Sequence, residues 1–175
     1  KAVDKIIEFI NSESRKREWF TLEGKAGTGK TTVLAEVIKE LPDNKTIAIA
    51  ALAHKAKSNL YEKLQTAGKR VNAYTIAGLL NMKLNEETGD FERKPDDWTP
   101  PPVSEASFII IDEASMINEE ALELIMNMKA ATAKVIFAGD PGQLPPIRNI
   151  TSYRMIAERV NSPNLNTYNT LEKKF

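Results

Sequence analysis

The hydrophobic positions of this chain alternate between helical spacing and short continuous runs. The first helical set predicts an amphipathic helix that ends near the polar run 11–17, and its members are Val3, Ile6, Ile7 and Ile10. Residues 19–22 predict a β-strand, because they are apolar or β-branched and Gly24 interrupts them. A second helix stops before Pro42, and its apolar stripe consists of Val33, Leu34, Val37, Ile38 and Leu41. The predicted order is therefore strand, glycine loop, helix.

The alternation of predicted strands and helices continues from residue 47 to residue 138. Ile47–Ala51 predicts a second strand, and a helix with Gly68 as its C-terminal cap follows on the apolar positions Ala56, Leu60 and Leu64. Phe108–Ile111 is a continuous apolar strand. Asn118 is a helix cap, Glu119 and Glu120 supply first-turn carboxylates, and the helix carries Leu122, Ile125 and Met126. Residues 134–138 predict one more strand.

Apolar strands that alternate with amphipathic helices indicate an α/β fold with parallel strands. A parallel crossover needs a dozen or more residues to return, and helices then cover both faces of the sheet. We therefore predict a doubly wound, mostly parallel sheet. Residues 82–104 interrupt the alternation with a turn signal at 87–90 and a stiff exit at 100–102. This segment is predicted to be a small inserted hairpin.

Composition narrows the class of protein but does not identify a partner. With 175 residues and 42% hydrophobic content, the chain can bury one substantial core. Lys and Arg number 24, as do Asp and Glu, so a nucleic-acid surface would depend on local clustering or on backbone amides. The chain has no Cys, which excludes disulfides and thiolate metal sites. No apolar run approaches the roughly 20 residues of a membrane span, so we expect a soluble protein.

The segment from Gly24 to Thr31 has the pattern G-x-x-x-x-G-K-S/T between a strand and a helix. In this context its glycines let successive amides face phosphate oxygens, while Lys30 supplies a cation and Thr31 a magnesium-ligating hydroxyl. The predicted nucleotide-binding residues are Gly24, Ala26, Gly27, Thr28, Gly29, Lys30, Thr31 and Thr32. The alternative, a glycine-rich turn with a solvated lysine, requires an accidental match. We therefore predict binding of ATP with Mg²⁺.

Two carboxylates, Asp112 and Glu113, end the strand Phe108–Ile111. The carboxyl edge of such a sheet is where ligands gather. We expect Asp112 to hold magnesium, through its water shell, and Glu113 to accept a proton from the water that attacks the γ-phosphate. The alternative is that both acids only end the strand. A kinase would exclude an activated water, so the second carboxylate favours hydrolysis.

Gln143 lies in a glycine- and proline-rich segment, 139–146, that follows the last predicted strand. A neutral amide can hydrogen-bond both a phosphate oxygen and a water, so Gln143 is a candidate sensor of the γ-phosphate. The alternative is a turn with an exposed Gln. Lys30, Glu113 and Gln143 are the predicted catalytic residues.

These three segments, in this order, resemble superfamily 1 helicases of the B branch, the RecD and Dda type. The segment from Asp112 to Met116 and the segment 139–146 carry the resemblance together with the phosphate-binding loop. The resemblance implies a RecA-like motor domain that translocates on single-stranded DNA and unwinds duplex, 5′ to 3′ if the family's polarity holds. It also implies duplex junctions as partners and a cytoplasmic location, in a bacterial or phage-infected cell, without a membrane.

Two further segments resemble the strand-contacting motifs of that family. They imply that His54, Lys55 and Thr75 bind DNA. Both segments depart from the family pattern. Leu52 and Ala53 stand where Pro-Thr is usual, and residues 77–78 stand where His-Ser is usual. The alternative for His54 is an ordinary polar residue at a helix cap.

The insertion 82–104 occupies the place of a β-hairpin that separates strands in the family, and we call it the pin. Phe91 is therefore a candidate for base stacking, with Trp98 as a weaker candidate. Either ring could instead anchor the pin to the core. The predicted domains are a motor domain made of residues 1–81 and 105–175, and the pin of 82–104.

The resemblance also implies parts of a helicase that this sequence does not contain. They are the upstream glutamine segment that contacts adenine and a second RecA-like domain with phosphate-binding arginines. We expect the chain alone to bind nucleotide but to hydrolyse it slowly, because an arginine supplied in trans contributes about 10³ to 10⁵ in rate. A second hypothesis stays open: a P-loop protein without motor activity, either a kinase-like transferase or a nucleotide-gated binding module.

Overall fold

The architecture is a twisted sheet with helices on both faces, in a computed structural model that describes residues 2–12, 18–25, 27–51, 61–62, 65, 68–85, 87–88, 90–94, 98–140 and 170–171. The strands are β1 Trp19–Gly24, β2 Ile47–Ala51, β3 Val71–Thr75, β4 Met82–Leu84, β5 Phe91–Arg93, β6 Phe108–Ile111, β7 Lys134–Gly139 and β8 Thr170–Leu171. The α-helices are α1 Ala2–Asn11, α2 Lys30–Lys39, α3 Ile76–Leu79, α4 Pro102–Glu105 and α5 Glu119–Met128, and Ala114–Met116 forms a 3₁₀ turn. Within these described ranges, no helix is long and apolar enough to cross a bilayer.

Six strands form one sheet in the order β3-β2-β6-β7-β1-β8, and every pairing in it is parallel. The predicted doubly wound α/β class is therefore confirmed. Parallel pairing brings the carboxyl ends of all six strands to one edge. The residues that follow β1, β6 and β7 meet at this edge, which we call the carboxyl edge.

Alternate side chains of each central strand enter two separate cores. In β6, Phe108 and Ile110 pack on the face covered by α1 and α2, whereas Ile109 and Ile111 pack on the face covered by α3 and α5. All four β6 residues are buried. Burial of each Ile contributes about 1.5–3 kcal/mol relative to exposure, so the run specifies a central strand.

Local signals set the helix boundaries as predicted. The Asn118 side chain accepts a hydrogen bond of 2.8 Å from the Ala121 amide, which confirms Asn118 as the cap of α5. α1 spans Ala2–Asn11, as the first helical stripe predicted. It buries Ile6 of that stripe, with Val3 and Ile10 partly buried against the same core, and it also buries Phe9, which the stripe did not include. The predicted helix on Ala56, Leu60 and Leu64 lies at positions outside the described residues. Gly68 has the left-handed φ of 73° that a helix C-cap uses.

Strands β3 and β8 were not predicted from the sequence. β3 is an edge strand of the sheet, and Val71 is its one buried residue. Because the strand lacks both a continuous apolar run and an apolar alternation, its pairing with β2 is decided by the tertiary structure. β8 is a two-residue pairing with β1 and has no periodic signal of its own.

The predicted inserted hairpin is present as β4 and β5, which pair antiparallel with Leu84 opposite Phe91. Its turn is stabilised by the Asn85 side chain, which accepts hydrogen bonds from the Glu87 amide at 3.0 Å and the Thr88 amide at 3.2 Å. The Asn85 amide closes the turn on the Asp90 carbonyl at 2.9 Å. This pattern of an Asx side chain bonded to the next backbone amides is typical of a tight turn.

The expectation that Phe91 stacks on a base is wrong for this structure. Phe91 is 8% exposed and belongs to the core that includes Ile117, Ala121 and Leu122. Its amide donates to the Glu120 carboxylate of α5 at 3.4 Å. A ring with so little accessible surface has no free face for a base, so the alternative role, anchoring the hairpin, is the one observed. Trp98, by contrast, is 91% exposed.

Phe91→Ala should lower the free energy of unfolding by about 3–5 kcal/mol, because it removes a buried aromatic side chain and leaves a cavity. Leu84→Ala is the matched control: Leu84 pairs with Phe91 across the hairpin but is 40% exposed, so its loss should cost less than about 1 kcal/mol. Urea denaturation monitored by circular dichroism measures both. Equal effects of the two changes would contradict the anchoring role of Phe91.

Candidate nucleotide-binding site

The loop between β1 and α2 has the backbone shape that its glycines predict. Gly27 and Gly29 have φ values of 75° and 92°, a region that residues with a Cβ rarely adopt. Thr28 closes the loop, because its amide and its hydroxyl both donate to the Lys25 carbonyl, at 3.2 and 2.7 Å. Ala26, also predicted to bind nucleotide, lies outside the described residues.

The Lys30 side chain turns back into this loop. Its ammonium donates to the carbonyls of Gly24 at 2.5 Å and Lys25 at 3.1 Å. A flexible lysine is normally extended into solvent, so these two bonds are specific to the loop. They hold one positive charge at the centre of the loop.

The amino end of α2 faces the same loop. Gly29 is its cap residue and has no side chain to satisfy the first amides. The first helical hydrogen bond runs from the Val33 amide to the Gly29 carbonyl at 3.0 Å, so the amides of Lys30, Thr31 and Thr32 precede it. Amides at a helix start, together with the helix dipole, attract anions. A phosphate fits here better than any neutral group.

Asp112 follows β6 at the carboxyl edge and is half-buried. Burial raises the pKa of its carboxyl group, while the Glu113 amide, which donates to Asp112 Oδ1 at 2.9 Å, and the Lys30 ammonium act in the opposite direction. β1, which leads into the loop of Lys30, and β6, which Asp112 follows, both pair with β7, so the two residues lie at the same edge of the sheet. The structure therefore brings together the cation of the loop and the first predicted carboxylate.

Glu113 has an unusual backbone for a residue with a side chain. Its φ of 52° is left-handed, and its carbonyl accepts from the Met116 amide at 2.9 Å to begin the 3₁₀ turn. Its side chain is exposed, next to the half-buried Asp112. Strained backbones of this kind concentrate at functional sites, where they direct a side chain. The adjacent acids thus have different surroundings, one partly desolvated and one hydrated.

Asp140 is a polar residue of this edge that sequence reasoning did not select. It follows β7 directly and is 8% exposed. β7 lies between β1 and β6, with Glu23 opposite Gly139 and Ile111 opposite Phe137. Asp140 therefore lies between the loop and the acid pair. A signal was available, since Asp140 is an acid that directly follows a buried strand.

The described residues contain no group of three or more acidic or histidine side chains able to hold a metal alone. Thr31 and Asp112, the two predicted ligands, fit a different arrangement. A magnesium ion that enters with a nucleotide takes most of its ligands from phosphate and water. The protein then needs to supply only one or two oxygens.

The predicted DNA contacts are only partly within the described residues. His54 and Lys55 fall outside them, as does Gln143. Thr75 ends β3 at the carboxyl edge and caps α3, because its hydroxyl accepts from the Gly78 amide at 3.0 Å. The acceptor function of that hydroxyl is therefore used within the protein. Its proton can still be donated to a ligand.

Comparison with known proteins gives a consistent picture. A family model described as AAA domain matches residues 8–170. An uncharacterised protein, R530 of Acanthamoeba polyphaga mimivirus, is 33% identical over 167 residues, which cover 85% of this chain and 33% of that protein. The ATP-dependent DNA helicase dda of enterobacteria phage T4 is 30% identical over 134 residues, which cover 75% of this chain and 29% of the phage protein. The chain thus spans about a third of the length of these relatives.

A solved structure agrees with the fold. The Bacteroides Pif1 helicase in complex with ADP-AlF3 and single-stranded DNA superposes with a TM-score of 0.59 at 22% identity, over 100% of this chain and 42% of that one. This similarity supports a RecA-like P-loop fold. From the family match and the fold together, the chain belongs to the AAA domain family and has a RecA-like P-loop fold.

Proposed function

We propose that this chain is the ATP-binding motor domain of an ATP-dependent helicase that translocates on single-stranded DNA and unwinds duplex, with 5′ to 3′ polarity. The observation that carries the proposal is that the Lys30 ammonium, held by the Gly24 and Lys25 carbonyls, and the half-buried Asp112 lie at the same sheet edge, because β1 and β6 both pair with β7. A phosphate chain and its divalent cation together match this pair of charges.

Each residue of the loop has a distinct role in nucleotide binding. Lys30 would exchange its carbonyl partners for phosphate oxygens, and the amides at the start of α2 would bind the same chain of phosphates. Thr31 and Asp112 would hold Mg²⁺, directly and through its water shell. Bound magnesium would supply charge neutralisation at the β- and γ-phosphates.

Glu113 would act as the general base. Its side chain is exposed to water at the carboxyl edge, beside the half-buried Asp112, so it is suited to accept a proton from a water. Asp112 binds the metal because its partly desolvated charge is best stabilised by a cation. Gln143 would contact the γ-phosphate, in agreement with its place just after β7. Exposure to water favours hydrolysis over transfer to another acceptor.

The DNA-binding part of the proposal depends on the other end of the carboxyl edge. Thr75, at the end of the edge strand β3, is available to donate a hydrogen bond to a nucleic-acid strand. His54 and Lys55 follow β2, the strand that pairs with β3, and they would bind the same nucleic-acid strand as Thr75. The phage relative is named as a DNA helicase and the Pif1 structure contains single-stranded DNA, and both support this assignment.

One experiment separates the proposed motor from the kinase-like and binding-module hypotheses. ATP hydrolysis should be stimulated by single-stranded DNA when the domain is joined to a second RecA-like domain. A kinase would instead need a small phosphate acceptor for turnover. Phosphate release assayed with and without a poly(dT) oligonucleotide, and without any acceptor, tells these apart. An equal rate of phosphate release with and without the oligonucleotide would refute the motor function.

Lys30→Ala should weaken Mg·ATP binding by about 10- to 150-fold, since a lost hydrogen bond to a charged group costs about 1.5–3 kcal/mol. Isothermal titration calorimetry of the chain with ATP measures this change. Lys25→Ala is the control: the Lys25 side chain is exposed and Lys25 contacts Lys30 through its backbone carbonyl, so its loss should change affinity by less than about threefold. Unchanged affinity in Lys30→Ala would contradict the phosphate-binding role.

Glu113→Gln should retain ATP binding but lower the hydrolysis rate by about 10²- to 10⁴-fold, the range lost with a general base. The amide keeps the size of the side chain and removes its basicity. Binding by calorimetry and hydrolysis by radiolabelled phosphate release give the two readouts. Glu119→Gln, a first-turn acid of α5, is the matched control and should leave both values unchanged. Normal hydrolysis by Glu113→Gln would refute the base assignment.

Asp112→Asn should raise the free energy of unfolding at pH 7 in the absence of metal. Because burial raises the folded-state pKa of Asp112 above 3.8, its ionisation destabilises the folded protein as the pH rises through and above 3.8. The Asn side chain keeps an acceptor for the Glu113 amide without the charge. Denaturation at pH 7 and below pH 3.8 should show a gain that disappears in acid, while Mg·ATP affinity falls. A stability loss at pH 7 would contradict the desolvation argument.

A further inference from the structure

One backbone carbonyl of the phosphate-binding loop accepts hydrogen bonds from several donors. The Lys25 carbonyl receives the Thr28 hydroxyl at 2.7 Å, the Lys30 ammonium at 3.1 Å and the Thr28 amide at 3.2 Å. A carbonyl oxygen has two lone pairs, so these three donors compete for it. The hydroxyl makes the shortest bond. Thr28 can therefore satisfy the Lys25 carbonyl when the ammonium leaves.

The ammonium is the donor that a phosphate needs. When Lys30 moves onto phosphate oxygens, the Lys25 carbonyl loses a charged donor. A carbonyl without a donor beside an anion is unfavourable, because its negative end then faces negative charge. The Thr28 amide is a weak substitute, since 3.2 Å is the upper limit for such a bond. The Thr28 hydroxyl has the usual length of a strong O–H···O bond and still covers the carbonyl.

The backbone on either side of Thr28 also needs a local restraint. Gly27 and Gly29 have left-handed φ values of 75° and 92°. Glycine loses more conformational freedom on ordering than any other residue, so this part of the loop is costly to hold in one shape. Among the residues that the structure describes, no atom lies within 4 Å of the place that a Cβ would take on Gly29. Packing therefore does not restrain Gly29, and the Thr28 hydroxyl bond does so from the next residue.

The phosphate-binding pattern does not account for this hydroxyl. Position 28 is one of the variable positions of G-x-x-x-x-G-K-S/T, and the hydroxyl that the pattern requires is that of Thr31. The pattern explains Thr28 only through its backbone amide. The contact between its side chain and the acceptor of the Lys30 ammonium is visible only in the structure.

We propose that Thr28 is a positioning residue for ATP binding, whose hydroxyl holds the Lys25 carbonyl so that the Lys30 ammonium can move to the phosphates. This role rests on the proposed binding of Mg·ATP in the loop. The hydroxyl does not contact the nucleotide. It acts through Lys30, because both side chains share one acceptor.

Thr28→Val should weaken Mg·ATP binding by about 3- to 10-fold, the range for the loss of one neutral hydrogen bond. Thr28→Ser keeps the hydroxyl and should bind within about twofold of the unchanged chain. Isothermal titration calorimetry of the 175-residue chain measures both. Ser104→Ala is the matched control. The Ser104 amide and hydroxyl both donate to the Pro101 carbonyl at 2.8 Å, but α4 precedes the amino end of β6, so ATP affinity should not change.

A double-mutant cycle shows whether Thr28 acts through Lys30. Without the ammonium the hydroxyl has no donor to replace, so Thr28→Val in the Lys30→Ala background should weaken binding by less than about twofold further. A hydroxyl that contacted the phosphates directly, or that only kept the loop folded, would instead weaken binding by the same factor in both backgrounds. Equal factors in the two backgrounds would overturn the positioning role.

The same titrations separate this proposal from that of the nucleotide site. If the unchanged chain does not bind Mg·ATP, or if Lys30→Ala binds as tightly as the unchanged chain, nucleotide binding in this loop is refuted and the role of Thr28 with it. If Lys30→Ala weakens binding and Thr28→Val does not, only the role of Thr28 is overturned. Binding by Thr28→Ser that is as weak as that of Thr28→Val would also overturn it.

Discussion

The structure depends on one electrostatic arrangement: a lysine ammonium held inside a loop of backbone carbonyls, near a carboxylate whose burial raises its pKa. Lys30 and Asp112 come from positions more than 80 residues apart in the sequence. Parallel pairing of β1, β7 and β6 brings their strand ends to one edge. The rest of the fold can be understood as the support for this edge, because both flanking cores hold the central strands in register.

The two cores contribute differently to the site. On one face, α1 and α2 pack against alternate residues of β2, β6 and β7, and this packing fixes the amino end of α2 below the phosphate-binding loop. On the other face, α3, α5 and the hairpin form the second core. The acid pair lies at the boundary of this second core, since Ala114 and Ile117 are buried directly after Glu113. The hairpin packs on α5, which follows the 3₁₀ turn after the acid pair.

This arrangement gives the hairpin a structural connection to the site, through α5. Glu120, in the first turn of α5, accepts from the Phe91 amide, and the Phe91 ring is buried beside Ile117 and Leu122. The far end of the same helix contributes Leu124 and Met128 to a groove that Trp98 borders. One ten-residue helix thus begins near the carboxyl edge, packs on the hairpin and lines this groove. Functions on these surfaces would share a rigid element.

The sequence by itself determined the features that depend on short-range chemistry. The phosphate-binding loop, the acid pair after β6 and the Asn118 cap follow from which residue types stand within a few positions of one another, and the parallel α/β class follows from the alternation of apolar runs and stripes.

Only the tertiary structure decided which surfaces are covered. Phe91 and Trp98 are both aromatic residues of one insertion, yet one is buried and the other exposed, because α5 packs against the first and leaves the second in solvent. β3 forms because its backbone hydrogen-bonds to β2. Asp140 lies near the loop and the acid pair because β7 lies between β1 and β6. Burial depends on neighbours that are distant in the sequence, and local patterns do not contain that information.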